Sequence, residues 1–545
     1  MRTLRPYQQE AHDSARRHME AHGSTLVVLP TGTGKTVVFA KLAAGWGRGN
    51  VLILAHRKEL IYQARDKVGA ELGYAPLVEM GVEGLEDGDL LWQGGQVVVG
   101  SVQTMVNTKR LEKYRKAPFD LIVIDEAHHA VASSYGKVLD FFRSLNSQMK
   151  VVGVTATPNR ADEVALGRVF DTCAFKLDIR EAIDGGWLVP VDQEFVVIDG
   201  VDFSNVRINR GGEDKGDLNA ADLEAILIEE EPLQAMAGPL IERAGADRKC
   251  LVFTCGVAHA HLLASIFNRH RTGCAAAVDG ETDPKERAAV IERFSKGDLQ
   301  FLTNYGVFTE GFDAPPAAIV GMGRPTKSEA LYAQMLGRVL RPLDGTVDGH
   351  ATADARRAAI AGSAKPRALA LDFVGNSRHK LVSAVDVLGG VYDAPVRELA
   401  ADELRRRGGD PMKALEKAKA RLLLQEEEEK RKALKAEVAW KAQAVDPFSH
   451  DGAVAAGGME RTRGGSTDAQ IAFLVNLGVS RETAAGYSKR QASAVIDDLR
   501  KQRCTAKQKA ILAKYGESTE VNFEEASRVI DEISRNGWKR REVLK

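Results

Sequence analysis

The sequence predicts an α/β protein, with two parallel-sheet domains in tandem followed by a long helix and a small all-α C-terminal module. Three observations carry this. Short apolar, β-branched runs alternate with helical patterns in two successive sets, as parallel strands with crossover helices do. From Met412 to about Ala444 the chain is rich in Ala, Leu, Glu and Lys. Nearer the C-terminal end, a Thr-x-x-Gln start with Leu and Gly at fixed later spacings occurs twice.

The first set of strands reads Leu26–Leu29, Val51–Ala55, Val97–Ser101, Leu121–Ile124 and Val151–Thr155. Its first run breaks at Pro30 into Thr31-Gly32-Thr33-Gly34-Lys35-Thr36, and an apolar helical pattern follows. A tight loop between strand and helix aims backbone N–H groups and the positive helix end at one spot. A triphosphate fits there, with Lys35 neutralising the β/γ oxygens and the Thr36 hydroxyl ligating Mg²⁺. The usual Gly-x-x-x-x-Gly-Lys-Ser/Thr pattern has Leu29 in its first position here. The run Phe119 to Ile124 delivers Asp125-Glu126-Ala127-His128 at its carboxyl end, the edge where open α/β sheets bind ligands. Asp125 suits Mg²⁺ held through water, and Glu126 suits orienting and deprotonating an attacking water. An acidic loop after a strand is common by itself, but together the two motifs specify NTP hydrolysis.

The second set reads Cys250–Thr254, Ala275–Val278, Phe301–Thr303, Ala318–Met322 and Ala368–Asp372, and it has no phosphate loop of its own. Its expected task is to close on the nucleotide of the first. Gln334, Arg338 and Arg341 follow the fourth strand at spacings of four and three, so a helix puts them on one face. Gly337 permits a close approach, and arginines presented across a cleft stabilise charge on a transferred phosphoryl group. The expected boundaries are 1–195 and 226–378 for the two domains. Residues 196–225 are a connecting insertion, polar and Gly/Asp-rich near Asp199–Asn219.

Lys+Arg and Asp+Glu both total 75, so net charge points to no partner and a nucleic-acid surface has to be a local groove. The five cysteines show no Cys-x-x-Cys pair and no zinc spacing and read as reduced, partly buried thiols. His128-His129 and His259-x-His261 lack companion ligands and read as polar or packing residues. No apolar run approaches a membrane span and the start has no signal-peptide core, which reads as an intracellular protein; the expectation is a cytoplasmic one, bacterial or phage-encoded.

In order over residues 4–342, these motifs resemble those of superfamily 2 DEAD/DEAH-box helicases, in the XPB-like, type-I-restriction-like branch. Leu4-Arg5-Pro6-Tyr7-Gln8 is similar to the family's adenine-reading segment, which implies Gln8 as the base contact. Ala55-His56-Arg57-Lys58-Glu59-Leu60 and Gly100-Ser101-Val102-Gln103-Thr104-Met105 resemble the motifs that grip a nucleic-acid strand, implying Arg57, Ser101, Gln103 and Thr104. Thr155-Ala156-Thr157-Pro158 resembles the element that couples hydrolysis to strand movement, through Thr155 and Thr157. Thr309-Glu310-Gly311-Phe312-Asp313 resembles the second domain's strand and ribose contact, implying Thr309 and Gly311 on the strand and Asp313 on the nucleotide. The stretch from Gln334 to Arg341 resembles the arginine-finger motif.

The resemblance implies two RecA-like domains with ATP and Mg²⁺ between them and one strand across their tops, in an ATP-dependent DNA helicase or translocase. Backbone amides and hydroxyls grip phosphates without reading bases, so the expected contact is sequence-independent and salt-sensitive. The branch favours DNA. The motor motifs leave an RNA helicase, or an ATPase switch that remodels without unwinding, as alternatives.

Residues 376–412 read as poorly structured, the stretch to about Ala444 as a long solvated helix, and Ser449–Gly465 as a flexible linker; together, 379–465 form a helical extension and linker. In 466–545, Thr467-x-x-Gln470-x-x-x-Leu474-x-x-x-Gly478 recurs as Thr505-x-x-Gln508-x-x-x-Leu512-x-x-x-Gly516. Ala492-Ser493-x-x-Ile496-Asp497 recurs as Ala526-Ser527-x-x-Ile530-Asp531. Capping boxes at the helix starts and glycines at the stops predict two stacked helical hairpins. A mild basic excess, with Lys539-Arg540-Arg541 beside Trp538, leaves a DNA partner and a protein partner equally open.

Overall fold

Continuous aliphatic runs become strands buried on both faces, as parallel sheets covered by helices require. The computed structural model describes residues 3–81, 83–84, 95–156, 166–212, 215–309, 317–444, 466–502 and 504–535. Two compact units divide the chain, 1–437 and 438–545.

The first unit holds two sheets. The first sheet comprises β1 Ser24–Val28, β2 Asn50–Ala55, β3 Leu77–Glu79, β4 Val97–Ser101, β5 Phe119–Asp125, β6 Lys150–Thr155 and β7 Thr172–Lys176. Its order is β3-β4-β2-β5-β6-β1-β7, all parallel. The second comprises β8 Val191–Asp202, β9 Lys249–Thr254, β10 Ala275–Val278, β11 Phe301–Asn304, β12 Ala317–Gly323 and β13 Ala368–Asn376, in the order β10-β11-β9-β12-β13-β8, also all parallel. Leu52, Ile53 and Leu54 in the centre of the first sheet are fully buried, and each such side chain contributes about 1.5–3 kcal/mol of transfer free energy.

The strands missing from the sequence reading are β3, β7 and β8, all at sheet edges. An edge strand is covered less completely, so its residues need not be apolar; β7 is intermediate or exposed throughout. β8 overturns the predicted boundary at 195/196, which falls inside it. The supposed insertion 196–225 begins as this strand, paired with β13, and continues as a polar excursion pinned to the same half. Within the excursion, the buried Asp217 accepts from the Thr326 hydroxyl and the Lys327 N–H, both at 2.6 Å.

Residues 376–412 are not poorly structured. Helices Ala384–Leu388 and Ala394–Arg407 form there, burying Val385, Leu388, Ala400 and Leu404. Their apolar signal rests on few residues, Val396, Ala400 and Leu404 at four-residue spacing in the second helix, diluted by arginines and glutamates. The long helix is Pro411–Ala444; Ala414, Leu415 and Ala418 are buried, whereas Leu423 and Leu424 are exposed. The expected linker 449–465 lies outside the described residues.

In the second unit the helices are Asp468–Asn476, Arg481–Gly486, Lys489–Gln502, Ala506–Tyr515 and Phe523–Arg535. The predicted caps form: Gln470 N donates to Thr467 Oγ1 and Gln508 N to Thr505 Oγ1, each at 3.2 Å, and the second helices start likewise at Ser488, which accepts from Gln491 N, and at Asn522, which accepts from Glu525 N. The longer connection of the first copy holds the extra short helix, and Phe473 meets Phe523 edge-on between the copies. Trp538 and Lys539–Arg541 lie outside the described residues. Among the described residues, no helix is long and apolar enough to cross a membrane.

Candidate nucleotide and nucleic-acid site

Register brings the carboxyl ends of three strands together: Val28 of β1 pairs with Thr155 of β6, and Asp125 of β5 with Val154 of β6. The loop after β1 is closed by Thr33, whose N–H and hydroxyl both reach the Pro30 carbonyl, at 3.2 and 2.7 Å. Gly34, left-handed at φ 86°, turns the chain into helix Lys35–Ala44. Lys35 is buried and its Nζ donates to Glu126 Oε1 at 3.0 Å. Residues 31–36, Asp125 and Glu126 line one cavity of about 520 Å³.

Gln8 also lines this cavity. Its Nε2 donates to the Thr33 carbonyl at 2.8 Å, and its Oε1 accepts from Arg5 N at 3.0 Å. Tyr7 Oη donates to the same Thr33 carbonyl at 2.6 Å, so the N-terminal segment props the phosphate loop from behind.

Glu126 is the only non-glycine with positive φ among the described residues, at φ 48° and ψ 56°. Such strain costs about 1–3 kcal/mol and persists where surrounding structure enforces it. Here it turns Glu126 back towards Lys35, with its N–H held by Asp125 Oδ1 at 3.0 Å. His128 Nδ1 lies 3.1 Å from Thr155 Oγ1 and 3.5 Å from Glu126 Oε2. His129 packs against His128 and His56 with tilted rings, the centroids 4.1 Å apart in both pairs. The two histidines thus act as polar and packing residues, as expected, and together they link Glu126 to His56, beside the expected strand-gripping residues.

Those residues are held in place. Gln103 Nε2 donates to the His56 carbonyl at 3.0 Å, and Ser101 Oγ to Gln103 Oε1 at 2.6 Å. Thr104 Oγ1 accepts from Gly81 N at 2.9 Å. Arg57 Nη1 reaches the Gly306 carbonyl of the second half at 2.8 Å. Thr157, Gly311 and Asp313 lie outside the described residues.

The second half enters through helix Glu329–Leu340, capped by Ser328, whose Oγ accepts from Leu331 N. This helix rests on the phosphate loop at glycines. A Cβ at Gly337 would lie 2.5 Å from Thr31 Cβ, and one at Gly32 would lie 3.2 Å from the Gly337 carbonyl. Gly337, Arg338 and Arg341 line the cavity, and Arg338 Nη2 donates to the Thr309 carbonyl at 2.6 Å. The predicted shared helical face is not formed. The helix ends at Leu340 and Arg341 is extended (ψ 129°), because Pro342 disfavours helical backbone in the residue before it. Gln334 is buried and lies outside the cavity lining.

The lining also includes residues beyond the expected site residues, among them Arg5, Trp187 and Asp348. Arg5 Nη2 pairs with Asp348 Oδ1 at 3.0 Å, joining residues 343 positions apart, a separation no local pattern reveals.

Among the described residues no three His, Cys, Asp or Glu side chains cluster as a metal site. Thr36 and Asp125 offer a hydroxyl and a carboxylate to the same cavity, a hard-oxygen set that suits Mg²⁺ completed by phosphates and water.

Known proteins match the same regions. The profile of the Type III restriction enzyme, res subunit, matches residues 2–160, and that of the helicase conserved C-terminal domain matches 233–342. IRC3 of Saccharomyces cerevisiae, named as a candidate ATP-dependent helicase, is 32% identical over 405 residues, 71% of this chain and 53% of its own length. The irc3 protein of Schizosaccharomyces pombe, a candidate mitochondrial ATP-dependent helicase by name, is 31% identical, over 63% of this chain and 56% of its own. The DNA 3'-5' translocase XPB2 of Sulfurisphaera tokodaii is 26% identical, over 63% of this chain and 79% of its own. The chain thus spans about half the length of the two yeast relatives.

Proposed function

Because the chain belongs to the superfamily 2 ATP-hydrolysing helicases, in the XPB-like and restriction-enzyme-like branch, we propose that it is an ATP-dependent DNA translocase or helicase. The observation that supports this most is one cavity lined by the phosphate loop of the first sheet and by Arg338 and Arg341 of the second half.

In this reading, residues 31–36 cradle the triphosphate, and Lys35 leaves Glu126 for the β/γ oxygens. That frees the Glu126 carboxylate to orient water and take its proton. Thr36 and Asp125 hold Mg²⁺, which screens phosphate charge. Arg338 and Arg341 stabilise the charge that develops on the phosphoryl group as it transfers. Arg338 also bonds the Thr309 carbonyl in a nucleic-acid motif, and His128 bridges Glu126 and Thr155. Hydrolysis and strand grip therefore share residues. Arg57, Ser101, Gln103, Thr104, Thr309 and Gly311 grip backbone phosphates, with Thr155 and Thr157 coupling. Gln8 and Asp313 complete the nucleotide contacts.

DNA is favoured over RNA by the named activity of the XPB2 relative; an RNA strand is the second reading, since the grip is on phosphates. The test is ATP hydrolysis by the full chain with single-stranded DNA, duplex DNA and RNA, with Lys35→Ala as control. DNA should stimulate turnover about tenfold, equivalent to 1.4 kcal/mol of barrier, and more than RNA does. Stimulation by RNA alone, or hydrolysis that survives Lys35→Ala, would overturn the proposal.

A further inference from the structure

Phosphate groups suit the part of the cavity built by residues 31–36. The rest of its lining includes the N-terminal segment and Trp187 of the first half and residues 347–351 of the second. Gln8, the expected base reader, already bonds Thr33 and Arg5 through its two amide atoms. The remaining polar side chains in that part of the lining include Asp348 and His350, both exposed on a loop that starts just after Pro342.

One side chain stitches this loop to the first half. Arg356, 6% exposed, lies with its guanidinium carbon 3.7 Å from the centroid of the Trp187 ring. Its Nε donates to the Gly185 carbonyl of the first half at 2.8 Å. Its Nη1 donates to the His350 and Ala351 carbonyls at 2.9 and 3.0 Å. A planar fork on a ring, with donors to both sides, fixes position as well as charge. Arg357 bonds the Asp184 carbonyl beside it. Gly186 completes the joint: its φ is +68°, and a Cβ there would lie 2.8 Å from Arg356 Cβ. On the opposite flank Arg5 holds Asp348, with both contacts on Oδ1.

We propose that loop 343–352 is the base-recognising wall of the nucleotide site and that Arg356 is its positioning residue. The inference rests on the nucleotide reading above and deepens it. A wall supplied by the second half means the base is read only while the halves are together. The Asp348 carboxylate accepts hydrogen bonds and cannot donate them. It suits the exocyclic amine of adenine and opposes the O6 acceptor of guanine at the same place, so ATP is preferred to GTP.

The test uses the full chain with single-stranded DNA and compares Arg356→Ala, Arg356→Lys and Asp348→Asn. Readouts are KM and kcat for ATP and for GTP, and inhibition by inorganic tripolyphosphate, which has no base. Arg356→Ala should raise KM for ATP about tenfold and bring the ATP/GTP ratio of kcat/KM towards one, as loss of a built polar contact does. Its tripolyphosphate inhibition constant should stay within about twofold, because the phosphate loop is untouched. Arg356→Lys should not restore selectivity, since the fork is lost. Asp348→Asn, an exposed and conservative change that keeps the fold, should lower the ATP/GTP ratio without altering tripolyphosphate binding. An unchanged ratio in the Asp348 and Arg356 variants overturns the inference. So does a parallel loss of tripolyphosphate binding, which would mark Arg356 as a general closure residue. A wild-type chain that hydrolyses neither nucleotide overturns the nucleotide reading itself.

Discussion

Lys35 and Glu126 hold each other at 3.0 Å in a buried pair, and Glu126 does so from a left-handed backbone. A carboxylate fixed this way is spent on its lysine until a phosphate competes for the ammonium. Glu126→Gln should therefore keep nucleotide binding while lowering kcat about 10²–10⁴-fold, the usual contribution of a positioned base. Fluorescent-nucleotide titration beside steady-state hydrolysis separates the two effects; equal loss of both would refute the assigned role. His128→Ala should reduce the stimulation of ATPase by DNA more than the basal rate, since it removes the link to Thr155. The sequence shows Lys35, Thr36, Asp125 and Glu126 because loop and strand-end chemistry is local and contiguous. It hides Trp187 and Arg356, whose partners are distant in the chain and follow no periodic pattern.

Helix Glu329–Leu340 shows how an element is aimed. One end touches the phosphate loop through Gly337, so Gly337→Val should leave the fold intact and lower kcat by at least about tenfold, because the approach to Thr31 is blocked. Circular dichroism alongside hydrolysis checks this. Nearer its start, Tyr332 Oη donates to Asp372 of β13 at 2.9 Å, and Gln193 of β8 donates to the same carboxyl. Burial holds the Asp372 carboxyl up at about 7, opposed by these two hydrogen bonds and reinforced by the charge of Asp386. The folded state thus favours the protonated acid. Its stabilisation is complete below the unfolded carboxyl pKa near 4 and is lost as pH rises towards about 7. Relative to Asp372→Asn, the wild type should lose on the order of 4 kcal/mol across that window, seen as a fall in its melting temperature measured against that of the variant. Parallel pH curves for the two proteins would exclude Asp372 as the titrating group. At this scale the central strands were legible because both faces are apolar. The edge strand β8 and the helices of 376–412 were not, because partial burial asks for so few apolar residues.

Across the whole molecule, balanced charge conceals local partners. The halves of the first unit meet through Arg5 with Asp348, Arg57 with the Gly306 carbonyl, and Glu59 with Arg287. These pairings lie outside anything a sequence pattern can show. In the second unit Lys489, Lys507, Lys509 and Lys514 are exposed. A chain lacking residues 446–545 should keep kcat within about twofold but bind DNA more weakly, with a shallower dependence on salt, because fewer cations are displaced on binding. Unchanged affinity and salt slope would assign the module to a protein partner instead.

The duplicated module also shows what a repeat has to preserve. Gln470 caps its own helix and donates to Ser493 Oγ and the Lys489 carbonyl; Gln508 does the same with Ser527 Oγ and the Phe523 carbonyl. The residues common to both copies thus sit in the joinery, alongside the fully buried Leu474 and Leu512 and Ala492 and Ala526. Outward positions differ freely, as with the exposed Ala469 in one copy and Lys507 in the other. Recognition can accordingly be rewritten one copy at a time without disturbing the frame, which makes this end of the chain the easiest place to exchange one docking preference for another.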